Sequence, residues 1–315
     1  MAPSAQWGST LAALPPDGPF PVMAAAWEFE LGARDWVSTG RFQKDLGSTT
    51  NPGMSNILAS RLTYDTTANS LELFGRIEAP QNVFVKGNIG AGWISSGHLN
   101  DEDWLAFGGL VAYSNTTASV SGDVDYATVD VGYDFFRGVG YKLGAFVGYN
   151  YYAENKSAYN CTQIANPFSD CFPASPDGSS LSITEDDTWN SLRVGLNGNI
   201  MVTDRLKLEG DVAYLPYVAF KGTDDHLQRD PPFVSPESGT GRGLQLESIL
   251  SYLITDQLSV GVGGRYWAMW TANNAITEFA GTPCPCLTEP AKTDRFGAFV
   301  QLNYTGLGSL FGGIN

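Results

Sequence analysis

Leu206-Lys207-Leu208-Glu209-Gly210-Asp211-Val212-Ala213-Tyr214 decides the fold. Leu206, Leu208, Val212 and Tyr214 share one face of an extended chain, and Lys207, Glu209 and Asp211 share the other. The same period of two recurs in 258–267. There Leu258, Val260, Val262 and Tyr266 oppose Ser259, Gly261, Gly263, Arg265 and Trp267. In 123–131 the charge changes face near Ala127, which predicts a bulge or boundary at that point.

Working outward, strands are expected over 27–42, 55–78, 83–96, 120–136, 141–158, 187–202, 206–221, 243–254, 258–278 and 294–305. Asp65–Asn69 reads as a bulge or kink within the second. Tight turns at 79–82, 137–140, 203–205 and 255–257 alternate with long polar loops. About ten strands, with short turns at one end and long loops at the other, predict an all-β fold. The expected architecture is a closed antiparallel transmembrane β-barrel. Aromatic clusters at Tyr133, Phe135 and Phe136, at Tyr149, Tyr151 and Tyr152, and at Trp267 and Trp270 read as interfacial girdles. A barrel of this size has a narrow lumen filled by side chains, which argues against a wide diffusion pore.

Composition agrees. The 315 residues are 16% charged, below the usual quarter, and include 36 Gly, 14 Tyr and 8 Trp. No run of about 18 apolar residues marks a membrane helix. The net charge of −15 excludes a nucleic-acid partner and favours a cationic substrate. Residues 1–24, with Pro15, Pro16, Pro19 and Pro21, read as an extended N-terminal leader, and 25–315 as the barrel with its loops. No basic region followed by an apolar one marks a signal peptide. The four cysteines suggest an oxidising compartment. Pairing of Cys161 with Cys171 is the favoured bridge, and pairing across to Cys284 or Cys286 is the alternative.

Two acidic clusters stand where the alternation breaks into polar loops. One is Asp101-Glu102-Asp103-Trp104 and the other Asp224-Asp225-His226. Asp101 and Asp103 share a face across Glu102, and two close carboxylates hold a proton or a water between them. In Asp224-Asp225-His226 the imidazole serves as general base, with Asp224 orienting it and stabilising its charged form. A metal set of His98 with these residues is chemically conceivable, but His98 reads better as a polar residue at a strand end. Neither a Gly-Xaa-Ser-Xaa-Gly elbow nor a phosphate loop is present.

These residues resemble the omptins, outer-membrane proteases of Gram-negative bacteria built on a ten-stranded barrel. The family's D-x-D-W motif is matched by Asp101–Trp104 and its D-x-H motif by Asp224–His226. Ile89-Gly90-Ala91-Gly92-Trp93 is similar to the strand leading into the first pair, and Leu206–His226 aligns without a gap. The resemblance covers roughly 27–305. It implies an endopeptidase in the outer membrane, its active site facing outside, with Asp101, Asp103, Asp224 and His226 as catalytic residues. It implies no cofactor or metal, a peptide or protein substrate, and outer-membrane lipid as surroundings, with lipopolysaccharide a candidate activator. The match departs where the family's specificity pocket carries acids, since Gly40 and Gly222 stand there. The family's lipopolysaccharide set falls on Tyr149, Tyr151 and Ala153, keeping only Tyr149. Tyr152, Glu154 and Lys156 offer similar spacing on the opposite face. The C-terminus, Leu310–Asn315, lacks the terminal aromatic common in bacterial barrels. The alternative to an enzyme is a non-catalytic barrel acting as adhesin or binding scaffold; a small porin comes third.

Overall fold

The computed structural model describes residues 27–47, 58–107, 110–165, 180–228, 232–272, 275–278 and 287–308. The expected leader lies outside them. Strands β1 (Trp27–Gly47), β2 (Leu58–Glu78), β3 (Val83–Phe107), β4 (Leu110–Gly138), β5 (Tyr141–Ala165) and β6 (Leu181–Met201) are followed by β7 (Leu206–His226), β8 (Phe233–Leu253) and β9 (Leu258–Thr271). Two short strands, β10 (Ile276–Thr277) and β11 (Leu287–Thr288), precede β12 (Ala291–Gly308). Ten long strands pair with their neighbours, all antiparallel, and β1 closes the ring by bonding both β2 and β12. Strands β10 and β11 form a small annex joining β8 to β1 at the rim. Closure leaves the ring no open edge.

Alternation along the strands sets the two surfaces. Leu208, Val212, Tyr214, Val260, Val262 and Tyr266 point outward and exposed, whereas Asp211, Arg265 and Trp267 point inward. On β12 the outward row runs from Phe296 through Val300 to Tyr304, all exposed. Such a row, apolar with aromatic ends, is the lipid-facing band of a membrane barrel. No helix among the described residues is long and apolar enough to cross a membrane, so crossing is by strands. Asp35 interrupts the band on β1, exposed and opposite Leu71 and Val300.

Four details differ from the sequence reading. First, the strands outrun the membrane. β4 has 29 residues, against the ~9–11 that a tilted strand needs to cross. The clusters expected in loops therefore lie within strands: Asp101–Trp104 belongs to β3, and Asp224–His226 ends β7. Above the lipid the outward face becomes polar, so apolar contrast fades while pairing continues. β3 and β4 stay bonded to Phe107 and Leu110, leaving only 108–109 as their connection.

Second, no bulge falls at Ala127, which pairs in register with Ile89 and Tyr151. Asp123 and Asp125 face out, and Asp130 faces in, because the strand crosses from water-facing to lipid-facing surroundings. Nor does β2 bulge within 65–69, where it stays in register with β1; the irregularity opposite Thr67 and Ala68 is an extra residue on β3, Ser95. Third, Tyr152 and Trp267 leave the girdles and are buried inside the barrel. Fourth, Glu154 and Lys156 are buried beside Tyr152, so this alternative trio is luminal and does not face lipid.

The lumen is filled by ionic layers. At mid-barrel Glu72 bonds Arg34 at 3.0 Å and Arg265 at 2.6 Å, and Glu247 bonds the same two arginines at 3.0 and 2.6 Å. Trp36, Tyr126, Trp267 and Phe299 surround the Arg265 guanidinium. Nearer the short turns, Lys86 and Arg193 meet Asp130 and Asp211. Arg76, Arg137 and Lys142 close the base with Glu28, Glu78 and Asp134. A polar cavity of ≈140 Å³ remains between these layers. This is the filled, narrow lumen the strand count predicts.

Candidate active site at the barrel rim

Two bulges aim the site. On β7, Ala213 and Leu215 point inward; the register shifts between Leu215 and Val218, after which Val218, Phe220, Gly222 and Asp224 point inward. The slip falls at Pro216-Tyr217, where proline has no N–H to give the ladder. On β3, Phe84 and Ile94 are inward, the register shifts between Ile94 and His98, and Leu99 is inward thereafter. Asp101 and Asp103 fall in phase with Leu99. An unbroken period of two would send all four site residues outward.

The structure brings Asp224 and His226 together: His226 Nε2 lies 3.1 Å from Asp224 Oδ2. The imidazole stacks on Phe233, with ring centres 4.8 Å apart and planes at 23°. Its partner strands set Ile183 and Phe233 beside it. Asp101 pairs across β2 with Leu62, and Asp103 with Ser60. Strands β4, β5 and β6 separate β3 from β7, so the two pairs face each other across the lumen. Tyr64 stands in the field of both. Burial pushes its phenol well above its ordinary value, and Glu185, Asp224 and Asp101 add to the effect.

His98 is not part of the group. It falls on the outer face, 60% exposed, and its Nε2 lies 3.6 Å from Asp65. The metal set that would include it is therefore not assembled.

Beneath Asp224 lies a cluster that the sequence reading missed. The buried ammonium of Lys44 bonds Glu185 and Glu237, each at 2.5 Å, and Asp224 at 2.9 Å. Burial alone would lower the Lys44 ammonium, but Asp224, Glu185 and Glu237 hold it well above its ordinary value. Burial alone would likewise raise the Asp224 carboxyl, yet Lys44 and His226 hold it far below the usual carboxylate range. Glu185 and Glu237 go the other way, pushed up by burial and by neighbouring carboxylates. Glu289 is pushed up to about 7 by burial, Asp224 and Glu185, against the pull of Lys44. The signal for these residues was inward alternation. It went unread because β1, β6 and β8 were expected to stop short of Lys44, Glu185 and Glu237.

The two glycines of the departed pocket have a structural reason. A Cβ on Gly40 would lie 2.7 Å from Cζ of Arg295. That guanidinium is buried, donating to Tyr152 at 2.9 Å, Ser38 at 3.0 Å and Thr66 at 2.8 Å, and pairing with Glu154. A Cβ on Gly222 would lie 2.9 Å from Glu237 Oε2. Thus a carboxylate from β8 fills the space beside Gly222, although position 222 itself has none. Cys161 is disulfide-bonded. Cys171, Cys284 and Cys286, and with them the choice between pairings, lie outside the described residues.

The closed ring, the apolar outer band and the filled lumen define a ten-stranded outer-membrane β-barrel. Residues 29–265 match the model of the Protochlamydia outer membrane protein family (Pom), and the chain belongs to that family. No curated protein matches it. Among solved structures it is similar to the outer membrane protease OmpT from Escherichia coli, with a TM-score of 0.70 and 15% identity over 89% of this chain and 97% of that one. A Pseudomonas aeruginosa FadL homologue follows with a TM-score of 0.30 and 8% identity, over 89% and 90% of the chains. The attachment invasion protein Ail of Yersinia pestis gives 0.25 and 11%, over 87% and 99%. The first of these confirms the barrel expected from the omptin resemblance; at that identity it speaks for the fold alone.

Proposed function

We propose that the chain is an omptin-like endopeptidase acting at the outer face of the outer membrane. The observation that carries this reading is the 3.1 Å contact between His226 and Asp224, half-buried in the rim on the strand facing Asp101 and Asp103. Asp101 and Asp103 hold a water. His226 takes its proton as the oxygen attacks the scissile carbonyl, then returns that proton to the leaving amine. With Nε2 turned to Asp224, Nδ1 is the nitrogen that accepts it. Asp224 stabilises the imidazolium, and a proton shared by the Asp101/Asp103 pair steadies the tetrahedral oxyanion. This chemistry needs no cofactor. Substrate choice departs from a strict basic-residue rule, because Arg295 fills the wall at Gly40 and Glu237 is engaged by Lys44.

Those same filled walls favour a second reading, a non-catalytic barrel whose rim binds a partner. One experiment separates the two. The purified barrel, with and without lipopolysaccharide, is offered a broad peptide library beside its His226→Ala variant. Cleavage that falls by roughly 10²–10⁴-fold in the variant is the expected result. Equal cleavage by both, or none by either, leaves the binding reading.

A further inference from the structure

We infer that Lys44 is a positioning residue of this site: its ammonium keeps Asp224 a carboxylate, and so keeps His226 oriented. The inference rests on the hydrolase reading above and concerns a residue outside the four catalytic positions.

The geometry is convergent. Asp224 Oδ2 takes both contacts, His226 Nε2 at 3.1 Å and Lys44 Nζ at 2.9 Å. Asp224 Oδ1 is buried and accepts no hydrogen bond among the described residues. Lys44 is therefore the cation that offsets the cost of desolvating this carboxylate. It has competitors for its charge. One oxygen from each of Glu185, Asp224 and Glu237 lies within 4.8 Å of the others. The groups acting on the ammonium are Glu185 from β6, Asp224 from β7, Glu237 from β8 and Glu289 beside β12. Next to them stand His226 on Asp224, Tyr64 of β2 with Asp101 of β3, and Asp187 of β6. A second buried cation, Lys156 of β5, is paired with Asp187 and Glu154 and close to Glu185.

Four carboxylates act on Lys44 while Lys156 is engaged by Asp187 and Glu154, so the four cannot all ionise. The protons collect on Glu185, Glu237 and Glu289, and Asp224, touched by both Lys44 and His226, stays charged. Without Lys44 that order is lost. Asp224 would then compete for a proton on equal terms, and a protonated Asp224 neither fixes the imidazole nor stabilises its charge. Lys44 touches no substrate in this scheme. It acts through Asp224.

The test uses the full barrel in detergent with lipopolysaccharide, as wild type, Lys44→Met, Lys44→Ala and Lys44→Arg, each checked for heat-modifiable mobility. Two readouts run in parallel: peptide cleavage against pH, and the carbon chemical shift of the Asp224 carboxyl against pH. In wild type that shift should stay flat from mildly acidic to neutral pH. In Lys44→Met it should titrate within that range, with kcat down about a hundredfold and KM little changed. Lys44→Arg should recover most of the rate. Added ethylammonium should partly restore Lys44→Ala by placing a cation in the vacated space.

A flat Asp224 shift in Lys44→Met overturns the inference whatever the rate does. So does an unchanged kcat. Should Lys44→Met not fold, a Lys44→Arg barrel whose Asp224 titrates like an unpaired carboxyl would overturn it as well. If wild type cleaves nothing, the hydrolase reading and the positioning role fall together, while the carboxyl titration still decides whether Lys44 holds the charge of Asp224.

Discussion

Two buried ionic clusters share this lumen, and they differ in their arithmetic. At mid-barrel two arginines, Arg34 and Arg265, meet two carboxylates, Glu72 and Glu247. At the rim one lysine, Lys44, faces Glu185, Asp224 and Glu237, with Glu289 adding its charge. The first is balanced and caged by Trp36, Tyr126, Trp267 and Phe299. It behaves as a plug that ties β1, β2, β8 and β9 together. The second carries surplus acid directly under Asp224-His226. Balance suits a structural core, because every charge removed from water has a partner. Surplus acid stores protons, and a site that moves protons needs such neighbours.

The most severe way to break the contrast is to unbalance the plug. Glu72→Ala leaves Arg34 and Arg265 with only Glu247 between them. It should cost about 3–5 kcal/mol of unfolding free energy, measured by urea titration in lipid vesicles. A loss below about 1 kcal/mol would mean that water already reaches this layer.

A pH experiment on the rim sharpens the comparison. The Glu289 carboxyl rises from an ordinary value of 4.5 to about 7 in the folded barrel. Between those values the folded state holds a proton that the unfolded chain has released. Its stabilising contribution is therefore full below about 4.5 and is lost as pH rises through about 7. Glu289→Gln should remove this decline, a change of at most about 3 kcal/mol across the window. An identical slope in the variant would assign the surplus proton elsewhere.

The smallest effect lies outside the lumen altogether. Asp35 sits on the lipid-facing band between Leu71 and Val300. Asp35→Leu should stabilise the barrel in vesicles by about 1–2 kcal/mol, since a carboxylate at this depth costs more than an alkyl group. Destabilisation would show that Asp35 has found a polar neighbour in the membrane.

How much of this was legible varies by level. Alternation in 206–214 and 258–267 separated the two faces correctly, because lipid on one side and packed charges on the other leave a strong period of two. Higher up the signal weakened. Both faces carry polar residues around Asp101 and Asp224, so strands were read as loops, and Lys44, Glu185 and Glu237 fell outside the expected elements. Tyr152 and Trp267 were misplaced for a related reason: an aromatic near a strand end serves a girdle or a core, and only its phase tells which.

The sequence by itself determined the membrane barrel, the strand count, the filled lumen and the two motifs Asp101-Glu102-Asp103-Trp104 and Asp224-Asp225-His226. Tertiary structure decided which way those motifs point and what lies under them. The slips at Ser95–Gly97 and at Pro216-Tyr217 reverse the phase of β3 and β7, and register against neighbouring strands, invisible in one strand's pattern, fixes where they fall. Only ring closure brings Lys44 of β1 against Glu185 of β6, 141 residues away, and Glu237 of β8, 193 residues away. Charges so distant along the chain share a proton ledger only once the barrel has excluded water from between them.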